Sequence, residues 1–212
     1  GDEISLFYDP MIAKLCTFGN TRAQAIERMS TALDEFQLRG IGNNVGFLAA
    51  VMAHPRFREG RLSTNFIADE YPDGFVGAEI NDADASVLIA VATAVHQEYA
   101  TREANGPGQL AGYHPQVPNQ WSVVLNEQEH IVEVAIEGPI TNITLDGRLI
   151  AVHSDWQFGD LLFSGTVNGD DVAVKIERQP GGYKVARRGA DTVIAVRSRK
   201  AAVLAAKMPV KE

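Results

Sequence analysis

The run VLIAVATAV, from Val87 to Val95, lies inside a segment with helical start and stop signals and shows no wet face. A surface helix carries an apolar stripe on one side and polar residues on the other. A helix that is apolar nearly all the way round is enclosed by protein. Asn81 or Asp82 can cap it, and Asp84 stands in its first turn, where the helix dipole favours a negative charge. Residues 81–102 are therefore read as a long helix that another part of the chain must wrap.

The wrapping is expected from the region that follows. From Trp121 onward the apolar period changes to two, and about eight short strands are legible: 121–126, 130–137, 141–145, 149–156, 161–167, 172–178, 183–188 and 192–196. Val132, Val134 and Ile136 alternate with Glu133, Ala135 and Glu137. Val172, Val174 and Ile176 alternate with Ala173, Lys175 and Glu177. Each strand thus has one dry and one wet face. Turn residues separate several of them, at 126–129, at Asp146-Gly147, at Asn168-Gly169-Asp170 and at Pro180-Gly181-Gly182. Unbroken short antiparallel strands predict a meander that closes into a barrel or sandwich. A short helix is expected over 201–208.

Between helix and strands lies GPGQLAGYHPQVPNQ, residues 106–120, with three glycines and three prolines. Such a stretch makes neither helix nor central strand, and loops of this length are commonly functional. Tyr113, His114 and Val117 give it contact-making side chains.

The first third reads as alternating α and β. Residues 11–18 form an apolar run suited to a buried strand. Within it Cys16 is expected to be a buried, inert hydrophobe, and Lys14 to snorkel or to pair. Asp9, before Pro10, is read as a turn former. Thr21 and Gln24 make a capping box ahead of Ile26, Met29, Leu33 and Phe36, with Gly40 closing that helical region. Asn43-Asn44 open a second helix that stops before Pro55, and Ser63-Thr64 cap a third. Pro72-Asp73-Gly74 makes a turn and residues 75–80 a linker. The expected fold class is α+β. A small α/β unit, 1–76, precedes a helix-plus-barrel unit, 77–212, with helix 81–102, loop 106–120 and barrel 121–197.

A net charge of −8 argues against nucleic acid or an anionic membrane as a partner, and Arg187-Arg188 and residues 197–200 do not offset it. No apolar run approaches the ~20 residues of a membrane span, and the start does not read as a signal peptide. A single cysteine makes no internal disulfide and suits a reducing compartment. The abrupt start at Gly1 is read as that of an excised piece. Signs of catalysis are sparse. GIGNNVG, residues 40–46, has glycines at the wrong spacing for a phosphate loop. His54, His96, His114, His130 and His153 are scattered without metal-ligand spacing, and His96 is read as lying at the barrel rim or hydrogen-bonded inside. Asp69 and Glu70 point to different helix faces, and Asp170-Asp171 suits a hairpin turn. No catalytic, cofactor-binding or metal residue is assigned.

One resemblance emerges from five separated motifs. They are Tyr8-Asp9-Pro10-Met11-Ile12 with Lys14-Leu15, Thr21-Arg22 with Ala25-Ile26, Gly40-Ile41 with Asn43-Asn44, Phe57 with Gly60, and Thr64 with Phe66-Ile67. In this order they resemble the end of the carboxylase domain of biotin-dependent carboxylases. EYPDGFVG, the long helix and the β-rich region are similar to the α subunits of propionyl-CoA carboxylases in particular, with methylcrotonyl-CoA carboxylases second. The resemblance implies a long helix encircled by an antiparallel barrel, with a hook-like loop between them. It implies docking onto a carboxyltransferase β subunit and linkage to a biotin carrier domain. For the parent enzyme it implies biotin, ATP and magnesium or manganese. The catalytic core would lie N-terminal to Gly1, and the family's Ala-Met-Lys-Met biotinylation motif does not occur. AAKMP, residues 205–209, lacks its first methionine, so Lys207 is not read as a biotin site. The piece alone is expected to be inactive. Tyr113, His114, Pro115 and Trp121 are the expected partner anchors. The implied compartment is a bacterial cytoplasm or a mitochondrial matrix. The alternative is a stand-alone barrel holding a small ligand.

Overall fold

The computed structural model describes residues 7, 11–107, 112 and 115–208. Helices come first: α1 (Arg22–Glu35), α2 (Val45–Ala53), α3 (Pro55–Arg58), α4 (Phe66–Glu70) and α5 (Asp82–Ala104). Eight strands follow: β1 (Gln120–Leu125), β2 (Gln128–Glu137), β3 (Ile140–Leu145), β4 (Arg148–Ser154), β5 (Leu162–Val167), β6 (Asp170–Gln179), β7 (Gly182–Arg187) and β8 (Ala190–Ser198). A short α6 (Arg199–Ala205) follows β8.

The strands pair in chain order, antiparallel throughout, and β1 closes the ring on β8, Trp121 opposite Ser198 and Val124 opposite Ala195. Tight turns set the register. Asn126-Glu127, Asp146-Gly147, Asn168-Gly169 and Arg188-Gly189 all have positive φ at both positions, with values between 48° and 87°. That backbone matches the right-handed twist of the flanking strands.

α5 fills the barrel. Asn81 caps it, its side-chain oxygen accepting from the Asp84 N–H at 2.9 Å, and its 23 residues run ~34 Å. Leu88, Ile89, Ala90, Val91 and Ala92 are at most 1% exposed. They meet a shell of inward side chains that includes Val123, Val132, Ile143, Val174, Val185 and Ile194. The helix thus occupies the space that a ligand chamber would need.

On β6 the strict alternation fails, and the failure is informative. Ala173 on the outer face is also buried, because α1 packs there. Its Leu33 carbonyl accepts from Lys175 Nζ at 2.9 Å. α1 begins as expected, Thr21 Oγ1 accepting from the Gln24 N–H at 3.2 Å. The return bond differs: Gln24 Oε1 accepts from Asn20 N–H at 3.0 Å, one residue before the cap. The helix ends at Glu35, ahead of Gly40.

Other expectations are corrected. Residues 11–18 form no strand, and Met11 and Phe18 are 63% and 74% exposed. A strand needs a hydrogen-bonded neighbour, and the described residues before 120 supply only helices and irregular backbone. Cys16 is accordingly exposed, as is Lys14. The helix expected after Ser63-Thr64 is capped at Asn65. α3, a single turn opened by Pro55 with His54 Nδ1 accepting from the Arg56 N–H, is too short to show a periodicity. Asp9 lies outside the described residues.

Candidate interaction surface

The end of the barrel where α5 emerges carries the richest chemistry. His96 and Gln97 follow the enclosed stretch 87–95 directly, so large polar side chains resume on the helix where the strands run out. Trp121, the second residue of β1, has the same inward parity as Val123 and Leu125, and is 4% exposed. Its indole N–H donates to Gln97 Oε1 at 2.8 Å, and its ring meets His96 edge-on at 4.4 Å. On the other side of His96, Nδ1 lies 3.0 Å from the Tyr183 hydroxyl. Burial, helped by the Arg178 charge, lowers His96 to about 4, so its ring is neutral at physiological pH. Burial also raises Tyr183, so its hydroxyl keeps its proton and can donate to the ring. His96 is thus at the rim and hydrogen-bonded inside.

Next to this triad Tyr99 gathers Trp156, Phe158 and Tyr183 at 5.7, 4.6 and 6.1 Å. The loop 155–161 that carries Trp156 and Phe158 is folded on itself, with Gln157 N–H donating to Asp160 Oδ2 at 2.9 Å and Trp156 Nε1 to the Asp160 carbonyl at 3.1 Å. Two cations cover the outer rings. Arg102 stands 4.0 Å over Phe158 and Arg178 4.4 Å over Tyr99, and Arg178 also pairs with Glu103 at 3.0 Å. Phe158 remains half exposed.

The loop 106–120 leaves and returns at this mouth. Its first end is fixed by Asn105, whose N–H and side-chain amide both reach the Thr101 carbonyl, at 3.1 and 2.9 Å. Its second end is fixed by Val117, packed on the core, and by the Asn119 carbonyl, which accepts from the Val134 N–H at 2.7 Å. Pro115 is half-buried. Trp121 is a root of the loop, enclosed by protein. Tyr113 and His114 lie outside the described residues. The Tyr99, Trp156, Phe158 and Arg178 group was not anticipated from the sequence. Its trace there is the change from apolar to aromatic and charged residues at Tyr99, Arg102 and Glu103.

On the same side, Val203 and Leu204 of α6 and Met208 just after it are exposed, at 58, 64 and 72%. Among the described residues no three His, Cys, Asp or Glu side chains gather to hold a metal ion. No described helix is long and apolar enough to cross a membrane.

The class defined here is an antiparallel eight-stranded barrel closed on a central helix, with a small helical unit packed on its wall. Residues 88–211 match the family model described as propionyl-coenzyme A carboxylase BT domain, and residues 1–69 match the biotin carboxylase C-terminal domain. The chain belongs to the propionyl-coenzyme A carboxylase BT domain family. It is 41% identical to the propionyl-CoA carboxylase alpha chain of Ruegeria pomeroyi, over all of this chain and 31% of that protein. It is 36% identical to the mitochondrial propionyl-CoA carboxylase alpha chain of Mus musculus, over 86% of this chain and 26% of that one. The mitochondrial methylcrotonoyl-CoA carboxylase subunit alpha of Dictyostelium discoideum is 30% identical over 65% of this chain and 20% of that protein. The chain therefore spans about a third or less of the length of these relatives.

Proposed function

We propose that this chain is the docking and spacing part of the α subunit of a biotin-dependent propionyl-CoA carboxylase, with its two units meeting near residue 76. Such an enzyme uses ATP and bicarbonate to carboxylate biotin, then passes the carboxyl group to propionyl-CoA to give methylmalonyl-CoA. The role of this chain is positional. It keeps the carboxylase and a carboxyltransferase β subunit in one particle, so that a tethered biotin carrier meets both at a high effective concentration. The observation that carries this reading is the loop 106–120, rooted at both ends on a rigid barrel mouth.

Pro115, Tyr113 and His114 are the proposed contacts. Trp121 acts from behind them by holding the loop's second root. Biotin, ATP and magnesium or manganese are proposed to act in the rest of the parent enzyme, in keeping with the lack, among the described residues, of any three His, Cys, Asp or Glu side chains that gather to hold a metal ion. This piece alone is proposed to be inactive. The parent's compartment is proposed to be a bacterial cytoplasm or a mitochondrial matrix. A methylcrotonyl-CoA carboxylase is the alternative parent, favoured by the relative named for it.

Co-migration in size-exclusion chromatography tests both points. The chain is expected to elute with a propionyl-CoA carboxylase β subunit and not with a methylcrotonyl-CoA one. Elution apart from both removes the docking role.

A further inference from the structure

The pair Arg187-Arg188 did nothing to make the acidic chain basic, and it lies at neither the loop nor the barrel mouth. It ends β7 and begins the two-residue turn to β8, and four other elements converge on that turn. From α1, Asp34 Oδ1 accepts from the Arg188 backbone N–H at 2.7 Å. From the linker, the Ala78 N–H donates to the Gly189 carbonyl at 3.1 Å. From α5, Asp84 Oδ1 accepts from Arg187 Nη1, while Asp84 Oδ2 accepts from the Asn81 amide at 2.9 Å. From α2, the backbone comes so close to Gly189 that an added Cβ would stand 2.6 Å from the Gly46 carbonyl oxygen and 2.7 Å from the Ala50 nitrogen. Gly189 is therefore required twice, for its φ of +84° and for the approach of α2.

Asp34, Asp84 and Arg187 are each 8% exposed. Burial raises the Asp34 carboxyl, against the pull of the Arg188 N–H and the nearby cations, so a neutral acceptor would suit its place. Around this centre Lys175 reaches the Leu33 carbonyl, and Arg39 pairs with Glu177 at 2.6 Å.

We propose that the β7–β8 turn is a coupling node that locks the carboxylase-type helices of residues 11–70 onto the barrel in one orientation. Asp34 and Gly189 are its positioning residues. The spacing role then does not depend on a free hinge in the linker 71–80, because that linker is itself pinned at the node. This inference rests on the proposed spacing role for its meaning, though not for its test.

The test is a distance measurement between spin labels on this chain alone, without any β subunit, so failure of docking and failure of the node are separate results. Cysteines replace the exposed Ala23 on α1 and the exposed Glu133 on β2, in a Cys16→Ser background. The unaltered node is expected to give one narrow distance. Asp34→Ala, which leaves the Arg188 N–H without its acceptor, and Ala50→Leu, which wedges α2 off the turn, are expected to lose it. Both leave the residues of the barrel unchanged, and both tryptophans, Trp121 on β1 and Trp156 packed against the barrel core, report by near-UV circular dichroism that it stays folded. Asp34→Asn keeps a carbonyl acceptor and is expected to retain the narrow distance. A narrow distance retained in both Asp34→Ala and Ala50→Leu, or lost equally in Asp34→Asn, overturns the node.

Discussion

The Trp121 indole N–H and the Gln97 side-chain oxygen share a 2.8 Å hydrogen bond from which solvent is excluded, with the two residues 4% and 7% exposed. It joins the first strand of the barrel to the helix inside it, at the point where the loop 106–120 comes back. Leaving one partner of a buried bond unpaired costs ~1–3 kcal/mol. Gln97→Leu is therefore expected to lower stability by about that much in urea titration. Adding Trp121→Phe is expected to cost less than the sum of the single changes, because the donor is removed together with its acceptor.

His96 makes the chain sensitive to acid. Its folded value of about 4 lies below its ordinary 6.5, so the unfolded chain binds a proton more readily. The contribution is fully present above pH 6.5, falls as pH drops from 6.5 toward 4, and levels off below. Its size is on the order of 3 kcal/mol at most. Asp34, raised by burial, acts in the opposite sense near the acid end. The difference between wild type and His96→Gln, measured by urea midpoint across this window, isolates the histidine. It is expected to shrink steadily as pH falls.

Glu127 holds a φ of 66° in the first hairpin turn, a conformation that suits glycine. Left-handed backbone costs a side-chain-bearing residue ~1–2 kcal/mol, part of which glycine forfeits through its freer unfolded state. Glu127→Gly is expected to raise the thermal midpoint, by a gain of ~0.5–1 kcal/mol.

Leucines on two helices should respond differently. Leu88 on α5 has no exposed surface, whereas Leu204 on α6 is 64% exposed. Leu88→Ala is expected to cost ~3 kcal/mol and Leu204→Ala less than ~0.5 kcal/mol, read by denaturant unfolding of each variant.

Much of this architecture could be read from residue order. The run from Val87 to Val95 has no wet side, and period-two strands punctuated by glycine and asparagine turns can wrap it. All eight strands appear where the alternation puts them, within a few residues at each end. Reading failed where a local pattern needed a distant partner. Residues 11–18 are apolar enough for a strand, but a strand exists only beside another. The node at Arg188-Gly189 was hidden because Asp34 and Asp84 lie 154 and 103 positions from the residues they bind. The placement of Trp121 was legible too: it shares the parity of Val123 and Leu125, and it stands inward at 4% exposure.

The docking role is tested most directly by a calorimetric titration of this chain with a propionyl-CoA carboxylase β subunit, repeated after deletion of residues 108–117. Saturable binding by the intact chain is expected, and its loss on deletion, with the near-UV dichroism of the barrel unchanged. Equal affinity before and after deletion would contradict that role.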